Sequence, residues 1–168
     1  MVQSTIRSTT ELDNLILLHA SKRRAFITLW TASWCPSCKA VTPLIRDIIG
    51  KQGAGENRGG VGFAEVEFDA PTLGEAAGRY LVGYPHTIIV AILEEIHNGL
   101  QITGIPTLQS FCRGEAQLET RLTSVKEMKD GEFLKLWIED EAIRGDSGGK
   151  GGGGGGGLFG GMFGLGGK

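Results

Sequence analysis

The stretch Trp34-Cys35-Pro36-Ser37-Cys38-Lys39 decides how the rest of this chain is read. Two cysteines with two residues between them are either a redox pair or half of a zinc site. The flanks favour the redox pair. Before it, Arg24-Ala25-Phe26-Ile27-Thr28-Leu29-Trp30 is apolar and β-prone and reads as a buried strand. After it, Lys39 to Gly50 reads as a helix ended by Gly50. The pair therefore falls where a strand turns into a helix N-terminus. With Cys35 at the N-cap, Pro36 becomes the first helical residue, where its missing N–H and preset φ cost nothing. The N–H groups of Ser37 and Cys38 then point back at the Cys35 sulfur. Those donors and the helix dipole favour a thiolate. Cys35 is thus the expected nucleophile, and Cys38, one turn inward, resolves the mixed disulfide. The bland alternative is a static disulfide or two buried thiols.

The chain has 168 residues, room for one ordinary domain plus extras. Its formal net charge is −2 and its longest basic block is Lys22-Arg23-Arg24, which argues against nucleic acid as a partner. Three cysteines with a single close pair do not make a secreted disulfide framework. The first residues lack a basic segment followed by an apolar one, so no secretory signal is expected. Leu15 to Leu18 is too short to span a membrane, and no other stretch is long enough. A reducing, cytoplasmic setting is the expectation.

Val2 to Arg7 reads as a short edge strand. Ser8-Thr9-Thr10-Glu11 has capping-box spacing and opens a helix to about Ser21, with Leu12, Leu15, Ile16 and Leu18 facing inward. Ala25 to Trp30 is the central strand. Pro43 lies inside the helix that follows the cysteines and should kink it. Lys51 to Gly60 is a glycine-rich loop, Val61 to Asp69 the next strand, and Pro71 to Leu81 a helix. Ile102 to Phe111 is a turn leading into a strand. Arg113-Gly114-Glu115 turns it back, and Gln117 to Thr123 is the return strand. Val125 to about Arg144 is a final helix, with Phe133, Leu134, Trp137 and Ile138 on its apolar side and Gly131 a weak point. The repeated βαβ order and the closing hairpin imply an α/β fold, a mixed sheet with helices on both faces.

This order, with W-C-x-x-C-K after the second strand and Gly104-Ile105-Pro106-Thr107 before the hairpin, resembles the thioredoxin family over about residues 2–144. The resemblance implies the thioredoxin fold and a redox-active Cys35–Cys38 disulfide. It implies that Pro106 is cis and packs against the cysteines. A cis peptide exposes the backbone of Ile105 to an extended substrate, so Ile105, Pro106 and Thr107 form the expected docking surface. Trp34 resembles the tryptophan that shields one side of the site. An ordinary turn proline and a simple packing tryptophan are the alternatives for Pro106 and Trp34.

Two departures matter. Many family members have Gly-Pro between the cysteines; here it is Pro36-Ser37, and intervening residues influence the redox balance. Six residues before the nucleophile the family commonly places a buried Asp that helps take the proton from the resolving cysteine. Here that position is Leu29. Glu65, on the neighbouring strand, is the nearest substitute, so Glu65 or water is expected to deprotonate Cys38. A plain solvated strand residue is the other reading of Glu65.

Residues 82–101, between the helix and ITGIPT, match nothing in the pattern. Three readings stay open: a short added helix or strand, a partner-binding loop, or translated intron sequence, which is preferred because the flanks join in register without it. An exposed Thr87-Ile88-Ile89-Val90-Ala91-Ile92-Leu93 segment is an aggregation hazard. Gly83-Tyr84-Pro85-His86 imitates the proline motif, but the following strand lacks the ending that Phe111 and Gly114 supply. Cys112 reads as a partly exposed single thiol. A zinc site needs four ligands, and the chain offers three cysteines and three scattered histidines, His19, His86 and His97. From Gly145 onward the chain is a flexible glycine-rich tail, a separate unit from the domain over 1–144, with Leu158-Phe159 and Met162-Phe163 as a conceivable docking motif.

The expected function is reduction of protein disulfides by Cys35 and Cys38, with Trp34, Pro36, Ser37, Lys39 and Glu65 supporting and no metal or organic cofactor implied. By resemblance the partners are disulfide-containing proteins and a flavin-dependent reductase, and the chain is a monomer that engages neither nucleic acid nor membrane. The competing reading is a non-catalytic interaction module whose redox site the insertion has compromised.

Overall fold

A computed structural model describes residues 3–73 and 104–147. Strand β1 (Gln3–Ile6) leads to helix α1 (Thr9–Ser21), strand β2 (Phe26–Thr31), helix α2 (Pro36–Gly50) and strand β3 (Gly62–Glu67). Then come β4 (Thr107–Cys112), β5 (Glu115–Ala116), α3 (Val125–Lys129) and α4 (Gly131–Asp146). The strands form one mixed sheet in the order β1-β3-β2-β4-β5. β3 runs parallel to β1 and β2, while β4 runs antiparallel to β2 and β5. β2 is therefore central and β1 an edge, as expected.

The register sorts side chains by face, because successive strand residues alternate. Ile27 and Leu29 of β2, Phe63 of β3 and Leu108 of β4 pack against Val41, Ile45 and Ile48 of α2 and Leu134, Trp137 and Ile138 of α4. Phe26, Trp30, Ala64, Val66 and Phe111 pack on the other side against Leu12 and Ile16 of α1. β2 is buried on both faces, which explains its largely apolar sequence; the hydroxyl of its buried Thr28 donates to Gln109 O at 2.9 Å.

Local chemistry sets the boundaries. Ser8 Oγ accepts from Glu11 N at 3.2 Å and caps α1. Glu11 reaches back to Arg7 N at 3.3 Å, one residue before the usual capping-box donor. Leu12 and Ile16 face the core, but Leu18 is exposed, because six residues of helix rotate it away from the Leu12–Ile16 stripe. Gly62 opens β3, and a Cβ there would clash with the His19 ring, which stacks on Phe26, so the position admits no side chain. The loop after α2 contains a single turn of 3₁₀ helix, Glu56–Arg58.

Several expected elements differ. Arg113 and Gly114 both take positive φ and make the tight turn after β4, but β5 ends after Ala116. Beyond it, backbone carbonyls that a longer return strand could use accept from side chains: Gln117 O from Gln109 Nε2, Thr120 O from Trp137 Nε1. Only Leu122 rejoins the sheet, in an isolated bridge to Leu108. The final helix is two helices. Asp130 leaves the helical region with ψ 104 and caps α4 through Phe133 N, so the break precedes Gly131. α4 also passes the expected boundary at residue 144. Gly145 is buried within it and comes so close to the backbone of Arg24 and Ala25, just before β2, that a Cβ there would clash with Ala25 N. Residues 71–73 form a turn, with Thr72 bridged to Ser8. The rest of the expected Pro71–Leu81 helix, the 82–101 segment with His86 and His97, and the tail beyond residue 147 lie outside the described residues.

Candidate redox site

Strand β2 delivers the chain to the site at the end of the sheet, and α2 begins there. Cys35 is the N-cap of α2, with extended backbone angles, and Pro36 is its first residue. The Cys35 sulfur accepts from Cys38 N at 3.1 Å. Of the two donors expected from the sequence, this is the one that makes the bond. The geometry places the sulfur at the positive end of a fifteen-residue helix, where a thiolate is favoured. Cys35 and Cys38 are joined in a disulfide. Both are buried, with 4% and 2% of their surface exposed.

The other residues expected at the site divide into two groups. Ile105 is half-buried and packs with Phe68 against the cluster of Ala32, Cys35 and Cys38. The Ile105–Pro106 bond is cis. Trp34 is 64% exposed beside the cysteines, so its ring is presented to solvent and is not a packing residue of the core. Pro36 and Lys39 are exposed and Ser37 is half-buried on the first turn of α2. Thr107 differs from the expected docking residue: its side chain is fully buried and its hydroxyl donates to Gly104 O at 2.6 Å. It braces the turn that carries Ile105 and Pro106.

Glu65 occupies the second group. It stands opposite Leu29 in the β2–β3 register, and Leu29 is fully buried where a proton-accepting carboxylate could have stood. The Glu65 side chain is 14% exposed and forms an ion pair with Arg46 of α2, so it is not a freely solvated strand residue. Glu65, Arg46, Lys39, Thr42 and Cys38 line one open cavity of about 430 Å³. Arg46 was not among the residues expected at the site. Its signal is the spacing Cys38, Thr42, Arg46, which runs at four-residue steps down one side of a helix.

A second unexpected contact joins the loop before the cysteines to the end of β3. Asp69 Oδ2 accepts from Ser33 N at 3.0 Å and from Ser33 Oγ at 2.5 Å. These bonds hold the Asp69 carboxyl below its usual pKa.

Cys112 is not the partly exposed thiol expected. It is 3% exposed in the core between β4 and α4, with its sulfur 3.9 Å from Glu141 O. Burial, with the nearby Glu141, pushes its pKa up to about 11. Among the described residues no group of three or more His, Cys, Asp or Glu is placed to hold a metal ion. No described helix is long and apolar enough to cross a membrane.

No protein-family model matches the chain, and no curated protein matches it in sequence. Solved structures do match in shape. Thioredoxin from Malassezia sympodialis is 18% identical with a TM-score of 0.52, over 84% of this chain and 91% of that one. Reduced Schistosoma mansoni thioredoxin pre-protein is 19% identical with a TM-score of 0.54, over 85% and 100%. Oxidised thioredoxin O2 from Arabidopsis thaliana is 19% identical with a TM-score of 0.53, over 83% and 93%. At this identity the likeness shows the fold: the chain has the thioredoxin fold, as the motif order implied.

Proposed function

We propose that this chain is a thiol–disulfide oxidoreductase that reduces protein disulfides through Cys35 and Cys38. The observation that carries the reading is the Cys35 sulfur at the α2 N-cap, accepting the Cys38 N–H and already bonded to the Cys38 sulfur. Such a pair can cycle between dithiol and disulfide.

In the reduced form the Cys35 thiolate attacks one sulfur of a substrate disulfide. A mixed disulfide forms, and the first substrate thiolate leaves and takes up a proton. Cys38 loses its proton, attacks the Cys35 sulfur and releases the second substrate thiolate, which is protonated in turn. Two electrons pass to the substrate, and the Cys35–Cys38 disulfide seen here is left. Because Cys35 is almost covered, the substrate disulfide has to be pressed against the surface formed by Trp34 and Ile105; Pro106, expected there too, is itself buried. Ile105 offers its backbone there, and Thr107 holds the turn. Glu65, reached across the shared cavity, accepts the Cys38 proton, and Arg46 holds its carboxylate. Pro36 and Ser37 set the redox balance of the pair and Lys39 adds positive charge beside it.

The partners are disulfide-containing proteins and, for regeneration, a flavin-dependent thioredoxin reductase. The chain works as a monomer in the cytoplasm. Insulin reduction by the full-length chain with dithiothreitol as donor tests the reading. Turnover should require both cysteines, and Cys38→Ser should accumulate a mixed disulfide on Cys35. A folded chain whose cysteine pair titrates but which never accelerates insulin reduction would sink it and favour an interaction module.

A further inference from the structure

We propose that Ser33 and Asp69 form a clamp that orders the loop bearing Trp34 and Cys35 for docking of protein substrates, with Asp69 as a positioning residue. The proposal rests on the oxidoreductase reading above. β2 ends at Thr31 and β3 at Glu67, their last paired residues, and one further backbone bond joins Phe68 N to Thr31 O at 2.9 Å. Past that point the two chains diverge, one toward Cys35 and one toward Leu73. Asp69 Oδ2 ties them together again by taking both the N–H and the hydroxyl of Ser33.

The loop needs that tie. Within Ala32–Cys35 the backbone bond holding the turn is Cys35 N to Ala32 O at 3.1 Å. Trp34, directly after Ser33, is exposed and cannot anchor the loop by burial. The clamp therefore supplies order where the core does not. An ordered surface matters most for a large substrate, which must meet Trp34 and Cys35 together and bears the cost of any ordering on binding. A small disulfide needs only access to the Cys35 sulfur. The clamp is accordingly a determinant of protein-substrate recognition more than of sulfur chemistry.

The test compares insulin with 5,5′-dithiobis(2-nitrobenzoate), using the full-length chain. Asp69→Ala removes both bonds and should raise KM for insulin about thirtyfold, the factor two hydrogen bonds of ordinary net strength supply. Its loss on the small disulfide should be distinctly smaller. Asp69→Asn keeps an oxygen acceptor for both Ser33 donors and should restore most of the insulin KM. Ser33→Ala, which loses only the hydroxyl bond, should fall between. Amide exchange at Trp34 and Cys35 should speed up in Asp69→Ala, a readout that needs no turnover. Equal losses on both substrates, unaltered exchange, or an Asp69→Asn variant as poor as Asp69→Ala would each overturn the clamp. Should Asp69→Ala not fold, an insulin KM unaltered in Ser33→Ala overturns it. Wild-type chain that reduces neither substrate signals instead that the oxidoreductase reading has failed.

Discussion

Replacing Glu65 by Gln tests the least obvious step of the proposed cycle, the removal of the proton from Cys38. The substitution keeps the shape of the side chain on β3 and its place beside Arg46, and removes its ability to take a proton. Positioned general bases contribute about 10²-fold or more to a rate. A 10²-fold loss is about 2.7 kcal/mol of barrier. The competing effect is structural, since Arg46 loses its charged partner. Arg46 is 44% and Glu65 14% exposed in that pair. Arg46 still reaches water and keeps the amide oxygen of Gln as a partner, so the loss should stay near the ~1 kcal/mol of a solvent-accessible ion pair. The rate loss should therefore exceed any stability loss, and the two separate cleanly.

The assay is a single turnover. Cys35 is loaded as a mixed disulfide with a chromophoric aromatic thiol, and its release by Cys38 is followed across the neutral to alkaline range. Urea unfolding of the same variant gives the stability term. Glu65→Gln should slow release by about two orders of magnitude and alter its pH dependence while the unfolding midpoint moves little. A release rate and pH profile matching wild type would show that Glu65 is no base for Cys38 and that water serves instead.

Three further outcomes follow from the packing. Cys112, with its pKa near 11, has roughly one thiolate in a thousand at pH 8; in the folded reduced chain alkylation should spare it, and labelling at a rate comparable with Cys35 would contradict its burial. His19, stacked on Phe26 and packed over Gly62, has its pKa lowered by burial and by Lys22 and Arg24. The unfolded chain then binds this proton more readily than the folded one, so stability present above the ordinary value of 6.5 falls as pH drops toward the folded pKa. His19→Phe should flatten that part of the Tm-versus-pH curve, and a curve parallel to wild type would refute the assignment. Gly145→Ala should destabilise: helix propensity would gain about 1 kcal/mol, but the added Cβ clashes with the Arg24–Ala25 backbone and pushes α4 away from it, and such overpacking costs about 1–3 kcal/mol. A raised Tm would show that the helix end yields freely.

What could be read from the sequence were the features whose cause is local. The cap at Ser8, the cap at Cys35 with Pro36 behind it, and the apolar run of β2 each declare themselves within a few residues. The motif order supplied the rest of the architecture, including the cis bond before Pro106. What escaped was decided by contacts distant in sequence. Cys112 is buried because α4 folds over the end of β4. Past Ala116 the return segment leaves the strand ladder, and side chains from Gln109 and Trp137, distant in sequence, meet the carbonyls of Gln117 and Thr120. Gly145 belongs to the domain, not to the glycine-rich tail: it is buried in α4, and the Arg24–Ala25 backbone leaves no room for a side chain there. Ser33 and Asp69 are 36 residues apart, and neither has a neighbour that marks it.

The same distinction explains the acid at the site. Leu29 is fully buried on β2, and a carboxylate at that position would carry an unpaired charge away from water. Glu65, one strand over, avoids that cost because Arg46 meets it and the cavity keeps it in reach of solvent. In the proposed cycle the Cys38 proton therefore leaves sideways, between α2 and β3, and not inward through the core. That route makes Arg46 part of the design: without it, Glu65 would still be available as a base, but nothing on α2 would fix its carboxylate on the side of the cavity that Cys38 shares.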